Sequence, residues 1–143
     1  MKIVRGLRNN NPLNIIKSNT IWLGQTNCTS ESTFCTFSSM QYGFRAALKL
    51  LKNYYCVHHL RTIRDIVSRW APETENKTEA YIRQVCRMTM TGDDTPLPPM
   101  KEETRGVWIN IVMAMATVEC GLTKEQREEL YPEACKGWAC LIG

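Results

Sequence analysis

Arg105-Gly-Val-Trp-Ile-Asn-Ile-Val-Met-Ala-Met-Ala-Thr-Val-Glu-Cys-Gly121 decides how this chain is read. Val107, Trp108, Ile109, Ile111, Val112, Met113, Met115 and Val118 leave scarcely a polar face, so the stretch reads as a helix buried nearly all round. It is shorter than the ~20 residues a membrane span requires, which makes it the core of a folded domain. Gly121 supplies the stop, as a C′ residue. The one charge between Gly106 and Thr123 is Glu119. Helical spacing stacks it on Met115, on Ile111 or Val112, and on Trp108, an apolar stripe. A carboxylate is costly there unless it is paired or protonated. Desolvation and the negative end of the helix dipole both push its pKa up, toward what a general acid needs near neutral pH. A glutamate that reaches past the helix end to water, or pairs with an arginine, fits the same placement equally well.

The rest of the chain arranges itself around that helix. Thr123 with Gln126 forms a capping box for a last, acidic helix running through Leu130. Upstream, Gly92 to Pro99 is a loop rich in aspartate and proline. Asn76 with Glu79 at the third position opens a helix through Tyr81, Ile82, Val85 and Met88. Thr62 with Asp65 opens another through Trp70, ended by Pro72. Ser38 or Ser39 caps a helix with Tyr42, Phe44, Ala46, Ala47, Leu48, Leu50, Leu51 and Tyr54 on its apolar positions. Before residue 38 the helical period is absent. Asn9-Asn10-Asn11-Pro12 belongs to a turn. Two β-prone runs, Thr20–Gly24 and Ser32–Phe37, flank a polar loop and read as a small hairpin. The fold class is therefore mainly α (α+β), in a single domain over residues 1–143. Residues 1–37 hold the Asn-rich segment and hairpin, and residues 38–143 are helical.

The totals agree with a globular chain. Of its 143 residues, 43% are apolar and 22% charged. No apolar run is long enough to span a membrane, and a charge interrupts what would be the h-region of a secretory leader near Met1. Synthesis in the cytoplasm without that kind of signal is the expectation. The charge is lopsided: residues 1–87 hold thirteen Lys/Arg against five Asp/Glu, and residues 88–143 hold five against nine. A basic front half suits an anionic polymer, and equally a plain solvated surface.

Seven cysteines sit at irregular spacings. Neither Cys56-Val57-His58-His59 nor Cys135-x4-Cys140 matches a zinc pattern, so no metal and no cofactor is expected. Most should be small buried hydrophobes in a reducing compartment; a Cys28–Cys35 or Cys135–Cys140 disulfide is the alternative in an oxidising one. His58 and His59 are adjacent and cannot face one another on a helix. Ser38-Ser39 lacks a nucleophile elbow, and no Gly-rich phosphate loop is present. Glu31 is the only acid in the first 64 residues, hence a candidate second carboxylate, though an ordinary loop residue is the plainer reading.

Several strings together resemble a family. Arg5-Gly-Leu-Arg-Asn-Asn-Asn-Pro-Leu-Asn-Ile15, Trp22-x-Gly24, Phe34-Cys-Thr-Phe37, Gly43-Phe-Arg-Ala46, Trp70-Ala-Pro72 and Glu75-Asn-x-Thr78-x-x-Tyr81 look like a set of small phage and prophage proteins. These are described as virion structural or lytic proteins and resemble the lytic virion protein of double-stranded RNA phages. The resemblance covers roughly residues 5–121 and implies a lysozyme-like, lytic-transglycosylase fold. Asn10-Asn-Pro-Leu-Asn-Ile15 is also similar to the Asn-Asn-Leu-Phe-Gly-Ile string of flagellar-type glucosaminidases. Their catalytic Glu-Ser-Gly motif precedes that string; here its counterpart is Glu119-Cys-Gly121, which implies a circular permutation.

The resemblance implies a peptidoglycan-cleaving enzyme acting between N-acetylmuramic acid and N-acetylglucosamine. The implied enzyme is a muramidase or lytic transglycosylase, with Glu119 expected as general acid and base. A transglycosylase needs one carboxylate where an ordinary hydrolase needs two. Tyr81 follows as a site-lining hydroxyl and Glu31 as the other catalytic candidate. Asn10, Asn11, Trp22, Tyr42 and Thr78 are the substrate-binding candidates, with Trp70 better placed in a core. The implied partner is a peptidoglycan glycan strand, met at the cell wall, in the periplasm or from within a virion. Two alternatives stand: a non-catalytic phage structural or wall-binding protein, and a peptidoglycan endopeptidase, which lacks its His-Asp-His metal set here. Nucleic-acid binding lacks interleaved aromatics and a helix-turn-helix.

Overall fold

The computed structural model describes residues 3–72 and 74–142. The central helix forms where the apolar run requires it, as α5 (Arg105–Cys120), and Gly121 closes it with a left-handed φ of 62°. Trp108, Ile109, Cys120 and every residue from 111 to 117 are buried in it. Around it, in chain order, stand α1 (Arg5–Arg8), β1 (Gln25–Thr26), β2 (Thr36–Phe37), α2 (Met40–Cys56), α3 (Ile63–Trp70) and α4 (Glu75–Thr89). A single 3-10 turn (Glu102–Thr104) leads into α5, and α6 (Lys124–Ile142) follows it. The expected class, mainly helical with a small N-terminal hairpin, is what is found.

α5 packs against α4, α6 and α2, while α3 packs on α4. The core is built from Phe44, Leu48 and Leu51 of α2, Ile63 and Ile66 of α3, Ile82 and Val85 of α4, and α5. Leu13 and Ile15 of the Asn-rich segment enter the same core. The loop over residues 92–99 is present and is tied down by Tyr55 Oη donating to Leu97 O (2.9 Å) and Trp108 Nε1 to Pro98 O (3.1 Å).

Three helix boundaries show which local signals win. Thr62 caps α3 as expected, its hydroxyl accepting from the Asp65 N–H. Asn76 does not start α4. Thr74 does, because its hydroxyl takes the Lys77 N–H and leaves Asn76 inside the first turn. α6 begins with the Thr123/Gln126 capping box but does not stop at Leu130. It runs to Ile142 through Pro132, at a local cost of about 3 kcal/mol. The extra length buries Ala134 and Trp138 against α2 and the core, which offsets that cost.

The hairpin is shorter and shifted. Gln25 pairs with Phe37 and Thr26 with Thr36, with an isolated bridge between Ile16 and Phe34. The expected strand at Thr20–Gly24 is a turn instead. Trp22 N–H donates to Gln25 Oε1, Gln25 N–H donates to Trp22 O, and Gly24 takes a φ of 79°. No described helix is long and apolar enough to cross a membrane. All seven cysteines are free, and only Cys35 and Cys120 are buried, so most are not the core hydrophobes expected.

Candidate functional site

The Asn-rich string is held by its own side chains. Asn11 is fully buried; its Nδ2 donates to Ile15 O (3.0 Å) and Cys35 O (2.9 Å), and its Oδ1 accepts from Ile15 N–H. Asn10 takes a φ of 53°, donates to Phe37 O, and lays its carbonyl so close to Gly43 that a Cβ there would strike it. Asn10 and Asn11 thus fix the loop to β2 and α2. Neither is among the described residues that line the clefts below.

What the string delivers is Asn14, which sequence reasoning passed over. Its Nδ2 donates to Glu119 Oε1 (3.3 Å) and lies 3.5 Å from the Glu119 carbonyl oxygen. Asn14 also has a φ of 53°. Asparagine is the side chain with a Cβ that best tolerates that conformation.

Glu119 projects from the last turn of α5. Opposite Asn14, Tyr81 of α4 donates its hydroxyl to Glu119 Oε2 (3.1 Å), with Met115 O 3.5 Å away. Tyr81 is buried, and burial, with the Glu119 charge beside it, holds its phenol well above the usual range. It therefore remains a proton-bearing donor at any physiological pH. Behind the carboxylate, the Cys120 thiol donates to Pro12 O (3.3 Å) and is pushed up to about 11 by burial and by Glu119. Gly6 of α1 packs directly on that sulfur.

Glu119 and Tyr81 share the wall of a cleft of about 470 Å³ with Ala71, Lys77, Ala80, Gln84 and Val118. Among the described lining residues Glu119 is the only carboxylate. Thr78 does not line it. Its hydroxyl donates to Ala71 O (2.6 Å), anchoring the first turn of α4 to the cleft's rim.

The other expected residues lie elsewhere. Glu31 lines a separate concavity with Arg8, Asn9, Cys28 and Ser30. Asn9 Nδ2 (3.0 Å) and the Phe34 and Thr33 N–H groups donate to it, and Arg5 stands 3.8 Å away. The Asn9 bond first, then those N–H groups and Arg5, hold its carboxyl below the usual range. Tyr42 is half-buried beneath Gly24, where it supports the turn. Trp22, half-buried with its Nε1 unpaired, lines a second cleft with Asn14, Tyr54 and Trp70. Trp70 packs edge-on against Tyr54 at the margin of the core, centroids 6.0 Å apart.

No family model matches the chain. Over 129 residues it is 33% identical to Protein P5 of Pseudoalteromonas phage PM2, an alignment covering 88% of this chain and 77% of that protein. The chain belongs to the family of that phage protein. The phage side of the resemblance is thereby borne out.

Proposed function

We propose that the chain is a single lysozyme-like domain that cleaves the glycan strands of peptidoglycan, with Glu119 as general acid and base. The carrying observation is the carboxylate at the end of a buried helix, gripped by Tyr81 and Asn14 on the wall of a 470 Å³ cleft. Protonated Glu119 donates to the glycosidic oxygen, and the sugar passes through an oxocarbenium-like state. The resulting carboxylate takes the proton of the muramyl C6 hydroxyl, whose oxygen closes on C1 to give the anhydro product. One carboxylate suffices for this route, where an ordinary two-acid hydrolysis needs a second. Tyr81 and Asn14 act as positioning residues, fixing one oxygen each. Lys77 and Gln84, on the same wall, are placed to meet an N-acetyl or stem-peptide carbonyl or carboxylate.

The left-handed Asn14 at the glycine position of the similar string supports the permuted, glucosaminidase-like arrangement. Membership of a phage protein family favours action from a virion or at the host wall. It also favours the second reading, a structural virion protein that keeps the fold without the reaction. Zymography on purified peptidoglycan separates them. Clearing by the wild type with anhydromuropeptide products, lost in Glu119→Gln, is the expected result. Equal clearing by both sinks the assignment of Glu119, and clearing by neither favours the structural reading.

A further inference from the structure

Large aliphatic side chains are left exposed on one part of the surface. Ile16 (63%), Ile21 (76%), Leu23 (56%) and Val57 (60%) stand in solvent. They are joined through Trp22. Ile21 and Leu23 flank it in the chain, Ile16 shares one cleft with it, and Val57 shares another. Trp22 and Leu50 line both clefts, which makes them the ridge between two depressions. The tip is preorganised: Trp22 and Gln25 hydrogen-bond across the turn, and Gly24 rests on the Tyr42 ring.

The surroundings are basic. Lys49 and Lys52 line the second depression. Arg69 stacks over Tyr54, which lines the first. Among the described residues, no carboxylate lines either depression, in contrast to the clefts that hold Glu119 and Glu31. Cations beside an apolar tip select an anionic partner. A glycan strand would use the aromatic faces and leave Ile21 and Leu23 idle, whereas a lipid surface takes the aliphatic tips, the indole and the cations together.

We propose that the Ile21–Leu23 turn, with Ile16, Val57, Lys49 and Lys52, is a peripheral docking site for an anionic phospholipid surface. The aliphatic tips and the indole enter the headgroup boundary while the lysines remain at phosphate level. The chain lies on the bilayer and does not span it. This site is independent of the Glu119 reading, because a vesicle contains no glycan.

The experiment is co-sedimentation of the full chain with vesicles of phosphatidylcholine alone or with a quarter phosphatidylglycerol. Binding to the anionic vesicles alone, weakened by salt, with a blue shift of emission that Trp22→Phe removes, is the expected result. Ile21→Ser with Leu23→Ser should lower partitioning by at least about tenfold. Lys49→Glu with Lys52→Glu should lower it by roughly fivefold or more per charge. Circular dichroism checks that both surface variants remain folded. No binding to either vesicle overturns the proposal, as does binding that the serine variant leaves unchanged. Retention on purified peptidoglycan that the serine variant loses, without vesicle binding, assigns the turn to glycan and overturns it too.

Discussion

Two glutamates in this molecule are each held by an asparagine of the same short string, and they differ in nearly everything else. Asn9 donates to Glu31 and Asn14 to Glu119. At the Glu31 end, backbone N–H groups and Arg5 complete the shell and hold the carboxyl low, which makes the acid a staple of its own loop. At the Glu119 end, the neighbours are a buried phenol, a buried thiol and the open volume of a cleft. A carboxylate surrounded by fixed donors organises a loop. One held by Tyr81 and Asn14 beside the open volume of a cleft is, under the proposed function, the group that meets the sugar.

The largest expected effect separates the two ends most sharply. Glu119→Gln should reduce turbidity clearing of peptidoglycan by about 10²- to 10⁴-fold, the usual share of general acid catalysis. Glu31→Gln should leave the rate within about twofold of wild type, since it lines a concavity separate from the one that holds Glu119. A comparable loss in both would erase the distinction. Next, Tyr81→Phe removes a hydrogen bond to a charged group, worth about 1.5–3 kcal/mol. That is an expected fall in kcat of roughly 10- to 100-fold with KM little changed, measured on soluble muropeptide oligomers.

Gly6→Ala tests the packing beneath the Glu119 end. Its Cβ would strike Cys120 Sγ and lie 2.9 Å from Asn11 O. Overpacking of this kind costs about 1–3 kcal/mol, read from urea unfolding, and Cys120→Ala should relieve only the sulfur part. The smallest effect is at the Glu31 end. Its folded-state pKa is depressed, so its contribution to stability is present above the unfolded carboxylate value of about 4.3 and is lost as pH falls through the folded one. Glu31→Gln should therefore lower Tm at neutral pH, and the gap should close on acidification. A gap that widens in acid would contradict this sign.

The helices were legible in proportion to how local their causes are. α5 is written in its own composition, and Thr62 and Thr123 cap their helices with partners three residues away. Thr74 was missed because Asn76 offered a competing cap in the same turn. The far half of α6 was missed because Pro132 argues against it locally, while the reason it persists, burial of Trp138, lies in α2 and the core. Glu119 was legible as an oddity within one helix, and Tyr81 as part of the motif Thr78-x-x-Tyr81. Asn14 was not, since its significance depends on a residue 105 positions away.

That separation has a consequence in time. A contact between residues 105 apart closes late, after the local helices have formed and the intervening chain has paid its loop entropy. A nascent chain complete only through α4 already holds Asn14 and Tyr81 but has no acid to place between them. The Asn14–Glu119–Tyr81 cluster is complete only once α5, the helix that also fills the core, has docked.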